Sequence, residues 1–508
     1  MFPNLYEIFE EIASKNPKRY AVIFEDKKIT YKNIFLLSNK IADIMDRKGL
    51  KKDQPVCFDT DKSIEVYAAM LACIKIGAPY FFLDFESPKK RKIEIIKSSK
   101  PKLYLTSGSS FLKLEKSVLQ YNIRQFIRTK IKKNLNQNTS QNKSSLASAA
   151  YYMFTSGSTG KAKGVIINQA NLQYLIFWAK NAYKFNNKTK HSGLNPIYFD
   201  NSVFDFYATI FNGGTLLSVY KKNLYNPVAT IGFLKKNKCT SWFSVPTLIN
   251  FYLKMKVFKK NSLPNIKRFI FGGEGFLITR LKELYNIFGK NIFYSNVYGP
   301  TETTCICSSY NVTSLDLKKK TGFPPIGYLH KYFDGFLWNN NKIDKRLGEL
   351  VLRGPCVGQG YLNDINVNNN FKIIPSLPSE KLYFTGDIMK KDNTGKLFFL
   401  GRKDNQVKHR GHRIELEEIE FRIKKIEYID DVIVHKRIIN NDSELIASIV
   451  LKKEVEKKYL HKIFKKHLPH FMIPTKIIFF KKFYVNKNGK ISRSAISNKA
   501  DNLLKYNA

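Results

Sequence analysis

Between Tyr152 and Val165 an apolar strand runs into a loop of glycines, hydroxyls and lysines, and a second apolar strand follows at once. Gly157, Gly160 and Gly164 let backbone N–H groups turn toward a ligand. Thr155, Ser156, Ser158 and Thr159 add short donors, and Lys161 and Lys163 supply positive charge. The chemistry such a loop can do is to hold phosphate. It is not a Walker A loop, because the first glycine stands too close to the second and Ala162 follows Lys161 where serine or threonine is needed. A mere spacer seldom lies between two apolar strands.

The elements that must position this loop alternate between helical and strand patterns, which predicts an α/β class. A helix is expected from Leu5 to Ala13 and a strand from Tyr20 to Phe24. A buried helix is expected from Val66 to Ile76, ended by Gly77, with a strand from Tyr80 to Leu83. The polar stretch from Thr129 to Ser148 reads as a loose connector to the phosphate loop. Leu172, Leu175, Ile176 and Ala179 share one helical face and read as core. From Asp404 the texture changes to a compact α+β pattern. Leu416, Ile419, Ile423 and Ile426 make a helical stripe, Asp431–His435 and Leu445–Leu451 read as strands, and Val455 to His467 reads as a basic helix. The expected organisation is therefore a large N-terminal domain over 1–403 and a small α+β domain over 404–508.

A chain of 508 residues can bury a substantial core. No apolar run is long enough to cross a bilayer, and the N-terminus lacks a basic region followed by an apolar one, so a cytoplasmic protein is expected. The six cysteines are scattered without zinc spacing, which fits a reducing compartment and no structural metal. The formal charge of +45 could suggest nucleic acid, but the lysines are spread throughout and no nucleic-acid module is visible. Attraction to acidic partners is the preferred reading, and nucleic-acid binding is not expected as a selected role.

Further stretches make, in order, a nucleotide-handling set. Asp200 to Asp205 places carboxylates among apolar residues, and Phe271 to Gly275 puts the Gly272–Gly273 pair and then Glu274 after a strand. Asn296 to Thr304 joins an aromatic, a turn, hydroxyls and an acid; Thr385 to Asp387, Gly401 to Gly411 and Asn488 to Lys490 complete the set. The order and spacing resemble the adenylate-forming superfamily of acyl- and aryl-CoA ligases, luciferases and nonribosomal peptide synthetase adenylation domains. Weaker signatures of that family lie at Ile29–Tyr31, Lys75–Ala78, Gly348–Gly354 and Leu468–Pro474, so the resemblance covers nearly the whole chain.

The resemblance implies a large multi-sheet N-terminal domain, a small mobile C-terminal lid hinged at Asp404, and an active site between them. It implies ATP and Mg²⁺ as cofactors. Thr155, Ser156, Gly157, Ser158, Thr159, Gly160, Lys161 and Lys163 would cover the leaving phosphates, and Gly273, Glu274, Asn296 and Gly299 would complete the nucleotide site. Tyr298 would stack on adenine, Asp387 would accept the ribose hydroxyls, and Arg402 would sit near the ribose. Thr301 and Glu302 would serve the α-phosphate and the metal, and Lys490 would bridge substrate carboxylate and phosphate. Such placement of positive charge where two anions meet is the main help a protein can give that reaction.

Asp200 matches the acid that pairs with the substrate ammonium in amino-acid-activating members, and the stretch through Asn212–Leu216 with Trp242 is particularly similar to D-alanine:carrier protein ligases. Gly272 stands where those enzymes carry a cysteine. The implied side-chain pocket comprises Asp200, Asn201, Phe204, Phe243, Ile270, Gly272, Val297, Cys305, Ile306 and Lys490; its two phenylalanines argue for a small or medium, mostly apolar side chain. Ala162 and Gln359 depart from the usual proline and arginine, and Tyr484, Lys487 and Ser492 replace the usual residues around Lys490. The implied acceptor is the phosphopantetheine thiol of a free-standing carrier protein. Two alternatives stand beside this reading: a CoA ligase for a small carboxylic acid, and a non-catalytic nucleotide-binding protein.

Overall fold

The computed structural model describes residues 3–108, 111–129, 141–157, 162–363, 370–374, 377–439, 442–484 and 492–506. Its architecture is mixed α/β, with several sheets followed by an α+β C-terminal subdomain. By internal contacts the chain divides into two units, one made of Met1–Phe85, Ser98–Phe154 and Gly164–Lys403, the other of Glu86–Lys97, Thr155–Lys163 and Asp404–Ala508.

Local sequence explains where the first elements begin and end. Asn4 accepts the N–H groups of Tyr6 and Glu7 at 3.0 and 3.1 Å, and Glu7 reaches back to the Asn4 N–H at 2.9 Å, which starts the helix Leu5–Lys15. The helix Ile64–Ile76, capped by Ser63, is buried on every side from Val66 onward. It stops at Gly77, whose φ of 70° suits a residue without Cβ. The strand Tyr80–Phe82 then pairs in parallel with Val56–Asp59 in a seven-stranded sheet. That sheet also contains Ala149–Thr155 and Lys163–Asn168, the two strands flanking the glycine- and lysine-rich loop.

The nine-stranded sheet of the first unit carries most of the chemistry-bearing residues. Its parallel strands include Lys190–Gly193, Thr215–Ser218, Ser241–Ser244, Arg268–Gly272 and Phe293–Tyr298. Parallel neighbours need crossovers, and the helices Pro227–Lys236, Pro246–Lys254 and Ile278–Phe288 supply three of them. All parallel strands end on one edge, so residues just after Ser244, Gly272 and Tyr298 converge there, where ligands bind in open α/β sheets. A third, six-stranded sheet pairs Leu377–Lys391 with Leu397–Arg402, setting Asp387 opposite Arg402.

The second unit is α+β. The ribbon Gln406–His409/His412–Glu415 leads into the helix Leu416–Lys424, and three strands, Ile429–Ile439, Asp442–Leu451 and Lys476–Phe480, form a sheet. Its core joins Ile414, Ile419, Ile423 and Ile426 to Leu460 and Phe464. Ile426 belongs to the stripe but lies past the helix end, and the basic helix runs Lys457–His467, starting after Glu456 rather than at Val455. Within this unit Arg91 pairs with the buried Glu418, and Arg422 bonds both Glu418 and Glu94 at 3.0 Å. A buried carboxylate is tolerable there because two guanidiniums face it.

Candidate active site

Tyr298 ends its strand with a phenol that donates to Asp387 Oδ2, while Arg402 donates to Asp387 Oδ1 at 2.7 Å and to the Thr385 carbonyl at 3.0 Å. The backbone N–H of Asp387 bonds Thr385 Oγ1 at 3.1 Å. All three side chains are buried or nearly so. Burial first, and then the Asp387 charge, push the Tyr298 phenol well above its ordinary pKa, so it stays a donor. The carboxylate is thereby fixed in direction, able to accept further hydroxyl donors. Asn296, two residues earlier on the same strand, spends its amide on the Pro325 carbonyl at 2.8 Å.

Beyond Tyr298 the chain has no room for a side chain. A Cβ on Gly299 would meet Cys305 O at 2.3 Å and Ile306 Cα at 2.7 Å. The single turn Thr301–Thr303 follows. Thr301 donates from Oγ1 to Asp200 Oδ2 at 2.6 Å, and Glu302, 1 % exposed, accepts the Tyr361 hydroxyl at 2.8 Å. The Thr301–Asp200 bond joins the residues expected around phosphate to those expected around the amino group.

Asp200 is half-buried at the start of the short helix Asn201–Val203, which continues as a π turn over Phe204–Ala208. Phe204, Phe243, Ile270, Val297, Cys305 and Ile306 pack into one core cluster, with the Phe204 and Phe243 rings edge to face at 5.2 Å. The Cys305 thiol donates to Asn201 Oδ1 at 3.8 Å. Its pKa is driven well up by burial and then by Asp200, which makes it wall and not nucleophile. Gly272 lies where a Cβ would meet Val297 O at 2.3 Å, and Gly273 has φ 89°. Glu274 accepts the Thr247 N–H at 2.7 Å at the start of the helix Pro246–Lys254.

Thr155, Ser156, Gly157 and Lys163 belong to the second unit, where Ser156 Oγ donates to the Arg413 carbonyl at 2.9 Å and accepts the Glu415 N–H at 3.0 Å. Ser158, Thr159, Gly160, Lys161 and Lys490 lie outside the described residues. Among the described residues no group of three His, Cys, Asp or Glu could hold a metal.

Two polar clusters were not anticipated. Asp205, fully buried, is held by Asn195 Nδ2 at 3.0 Å, the Asn195 N–H at 3.2 Å and His191 Nε2 at 3.1 Å. Close by, the buried Lys62 ammonium donates to the carbonyls of Gly193 and Val219 at 2.7 and 3.2 Å, and burial lowers its pKa to about 8. The second cluster is a pair of left-handed residues, Thr304 at φ 58° and Cys305 at φ 76°, backed by the buried His330. A carboxylate inside an apolar run was the only sequence signal for the first; nothing in the residue types announces the second.

Residues 9–362 match the family described as AMP-binding enzyme. A D-alanine–D-alanyl carrier protein ligase of Bacillus licheniformis is 29 % identical over 97 % of this chain and 98 % of its own length. Bacitracin synthase 1 of Bacillus licheniformis is also 29 % identical over 97 % of this chain, which spans only 9 % of that relative's length. Among solved structures, NpsA-ThdA, an artificially fused adenylation–PCP di-domain from Klebsiella oxytoca, has the same fold, with a TM-score of 0.83, 23 % identity and 94 % of each chain covered.

Proposed function

The chain belongs to the AMP-binding enzyme family, and from that premise we propose that it activates an amino acid with ATP and passes the aminoacyl group to the phosphopantetheine thiol of a carrier protein. The observation that carries the amino-acid reading is the Asp200–Thr301 bond. It orients a carboxylate for an ammonium group beside the hydroxyl that would meet the α-phosphate. The full-length similarity to a D-alanine carrier protein ligase supports the same reading.

In the first step an oxygen of the substrate carboxylate attacks the α-phosphorus of ATP, and the bond to pyrophosphate breaks. Asp200 would hold the ammonium, and the cluster around Phe204, Phe243 and Ile270 would take the side chain. Asp387, fixed by Tyr298 and Arg402, would accept the ribose hydroxyls. Lys490 and the loop Thr155–Lys163 would offset the charge of carboxylate and phosphates. The donor set fits a Mg²⁺ ion that arrives with the nucleotide: such an ion needs one or two carboxylates beside phosphate oxygens and water, and Glu302 supplies one. When bound, it would neutralise phosphate charge.

We assign 1–403 to the AMP-binding core and 404–508 to a lid that turns about Asp404 between the two steps. All six cysteines are free thiols, which fits the reducing compartment we infer, the cytoplasm. The charge of +45 suits an acidic carrier. The test is to load a labelled amino acid onto a phosphopantetheinylated acidic carrier and onto free coenzyme A, across salt. Carrier loading should dominate and fall steeply with salt while adenylation changes little. Efficient transfer to coenzyme A, with none to the carrier, would make the protein a CoA ligase instead.

A further inference from the structure

Directly after Glu302 the chain makes a turn that its residue types disfavour. Thr304 and Cys305 take φ values of 58° and 76° in succession, a region L-residues with a Cβ seldom enter, and neither is glycine or asparagine. The turn is not loose. Thr304 Oγ1 donates to the Cys356 carbonyl at 2.7 Å, the Ile306 N–H bonds Thr304 O at 3.0 Å, and the Cys307 N–H bonds Tyr298 O at 2.9 Å. Its outer side presses on Gly299, and its residues Cys305 and Ile306 share a buried cluster with Phe204, Phe243, Ile270 and Val297. It is thus a wall of the side-chain pocket held in a conformation that must be imposed from outside.

His330 is placed to impose it. Its ring Nε2 bonds the Ile306 carbonyl at 3.0 Å, and its backbone N–H bonds the Cys307 carbonyl at 3.0 Å. The ring is stacked on Trp178 at 4.9 Å and 22° and meets the edge of Phe333 at 4.7 Å, so it is packed on both sides. Burial lowers its pKa to about 4, so the imidazole is neutral, and a carbonyl partner requires the proton on Nε2. The other nitrogen, Nδ1, is buried with no hydrogen-bond partner among the described residues. An apolar side chain would fill this core site without an unpaired ring nitrogen, but it would take the ring donor away from the Ile306 carbonyl. The imidazole is therefore useful for the one bond it makes.

We propose that His330 is a positioning residue for amino-acid selection, holding the Thr304–Ile306 turn so that Cys305 and Ile306 keep the shape of the side-chain pocket. The inference rests on the amino-acid-activating reading. It does not place His330 in contact with substrate.

The test compares wild type with His330→Leu, His330→Met and His330→Gln by amino-acid-dependent pyrophosphate exchange, with thermal melting in parallel. Leu and Met fill the space without a donor; Gln carries an amide N–H at similar reach. The donor-free variants should raise the KM for the preferred amino acid about tenfold and shrink its preference over a neighbour one methylene larger by a similar factor. The KM for ATP should stay within about twofold and melting should fall by no more than a few degrees, while Gln should restore both amino-acid readouts. The proposal is overturned if Leu and Met behave as wild type, if Gln is as impaired as they are while folded, or if the KM for ATP rises in step. Should Leu not fold, Met against Gln decides in the same way. Wild type that exchanges pyrophosphate with no amino acid at all would instead remove the amino-acid reading, and this inference with it.

Discussion

Replacing Gly272 by alanine, and then by cysteine, puts the pocket geometry under direct strain. Gly272 ends the strand Arg268–Gly272 and pairs with Val297 on the neighbouring strand. A Cβ there would lie 2.3 Å from the Val297 carbonyl oxygen and 2.6 Å from Val297 Cγ2. The nearer atom is backbone, so relief requires the two strands to move apart by several tenths of an ångström or more, not a rotamer change. Overpacking of this kind costs about 1–3 kcal/mol. Val297 is itself a pocket residue, so the same movement reshapes the site for the amino-acid side chain. At about 1.4 kcal/mol per tenfold, kcat/KM for the amino acid should fall by roughly 5- to 150-fold in Gly272→Ala and further in Gly272→Cys. The KM for ATP should change less, by under about tenfold, because Asp387 and Arg402 lie on another sheet and hold the Tyr298 phenol at the end of the displaced strand. Pyrophosphate exchange at varied amino acid and varied ATP reads both, and denaturant unfolding reads the stability loss. Alanine and cysteine variants with wild-type stability and wild-type amino-acid kinetics would refute the strand spacing at Gly272 and its place in the pocket.

Three more outcomes are expected. Asp200→Ala should remove about 2–5 kcal/mol of amino-acid recognition while ATP still binds, measured as kcat/KM for the amino acid against the Kd for ATP; unchanged amino-acid kinetics would end the amine-anchoring role. Lys490→Ala should slow adenylation by roughly 10²–10³, since a charge about 4 Å from the reacting phosphate is worth on the order of 4 kcal/mol, yet leave transfer from a supplied aminoacyl-adenylate nearly intact; equal loss in both steps would place Lys490 in both or in neither. His330 titrates near 4 in the fold against about 6.5 in the unfolded chain, so the unfolded state binds the extra proton between those values and stability falls as pH drops from about 6.5 through 4. His330→Gln should lose on the order of 3 kcal/mol less than wild type over that interval, by urea unfolding at each pH.

Much of the architecture is written locally. The Asn4 cap, the helix stop at Gly77 and the buried runs of the parallel strands are short-range signals, and the structure follows them to within a few residues. The grouping of Tyr298 with Asp387 and Arg402 was legible only through motif order, because the partners lie on separate elements of the chain, and the Thr301–Asp200 bond is visible only in the structure. Other features escape such reading. Glu274 sits in a glycine-rich stretch, and its carboxylate accepts the Thr247 N–H at the start of a crossover helix, a contact that local sequence does not reveal. Thr304 and Cys305 carry no preference for left-handed backbone, so their turn is imposed by Gly299, Cys356 and His330. The segments Glu86–Lys97 and Thr155–Lys163 join the second unit through Arg91, Glu94 and Ser156, contacts far apart in sequence.

The central claim, that this AMP-binding enzyme selects an amino acid through its ammonium group, is tested most directly by exchange of labelled pyrophosphate into ATP. The measurement uses L- and D-amino acids side by side with the same acids lacking the amine, such as alanine against propionate. Exchange should depend on one or a few amino acids with small or medium, mostly apolar side chains, and their deaminated counterparts should support less than about a hundredth of it, in keeping with the loss of a buried charge partner. Equal exchange with and without the amine, or exchange with deaminated acids alone, would contradict it.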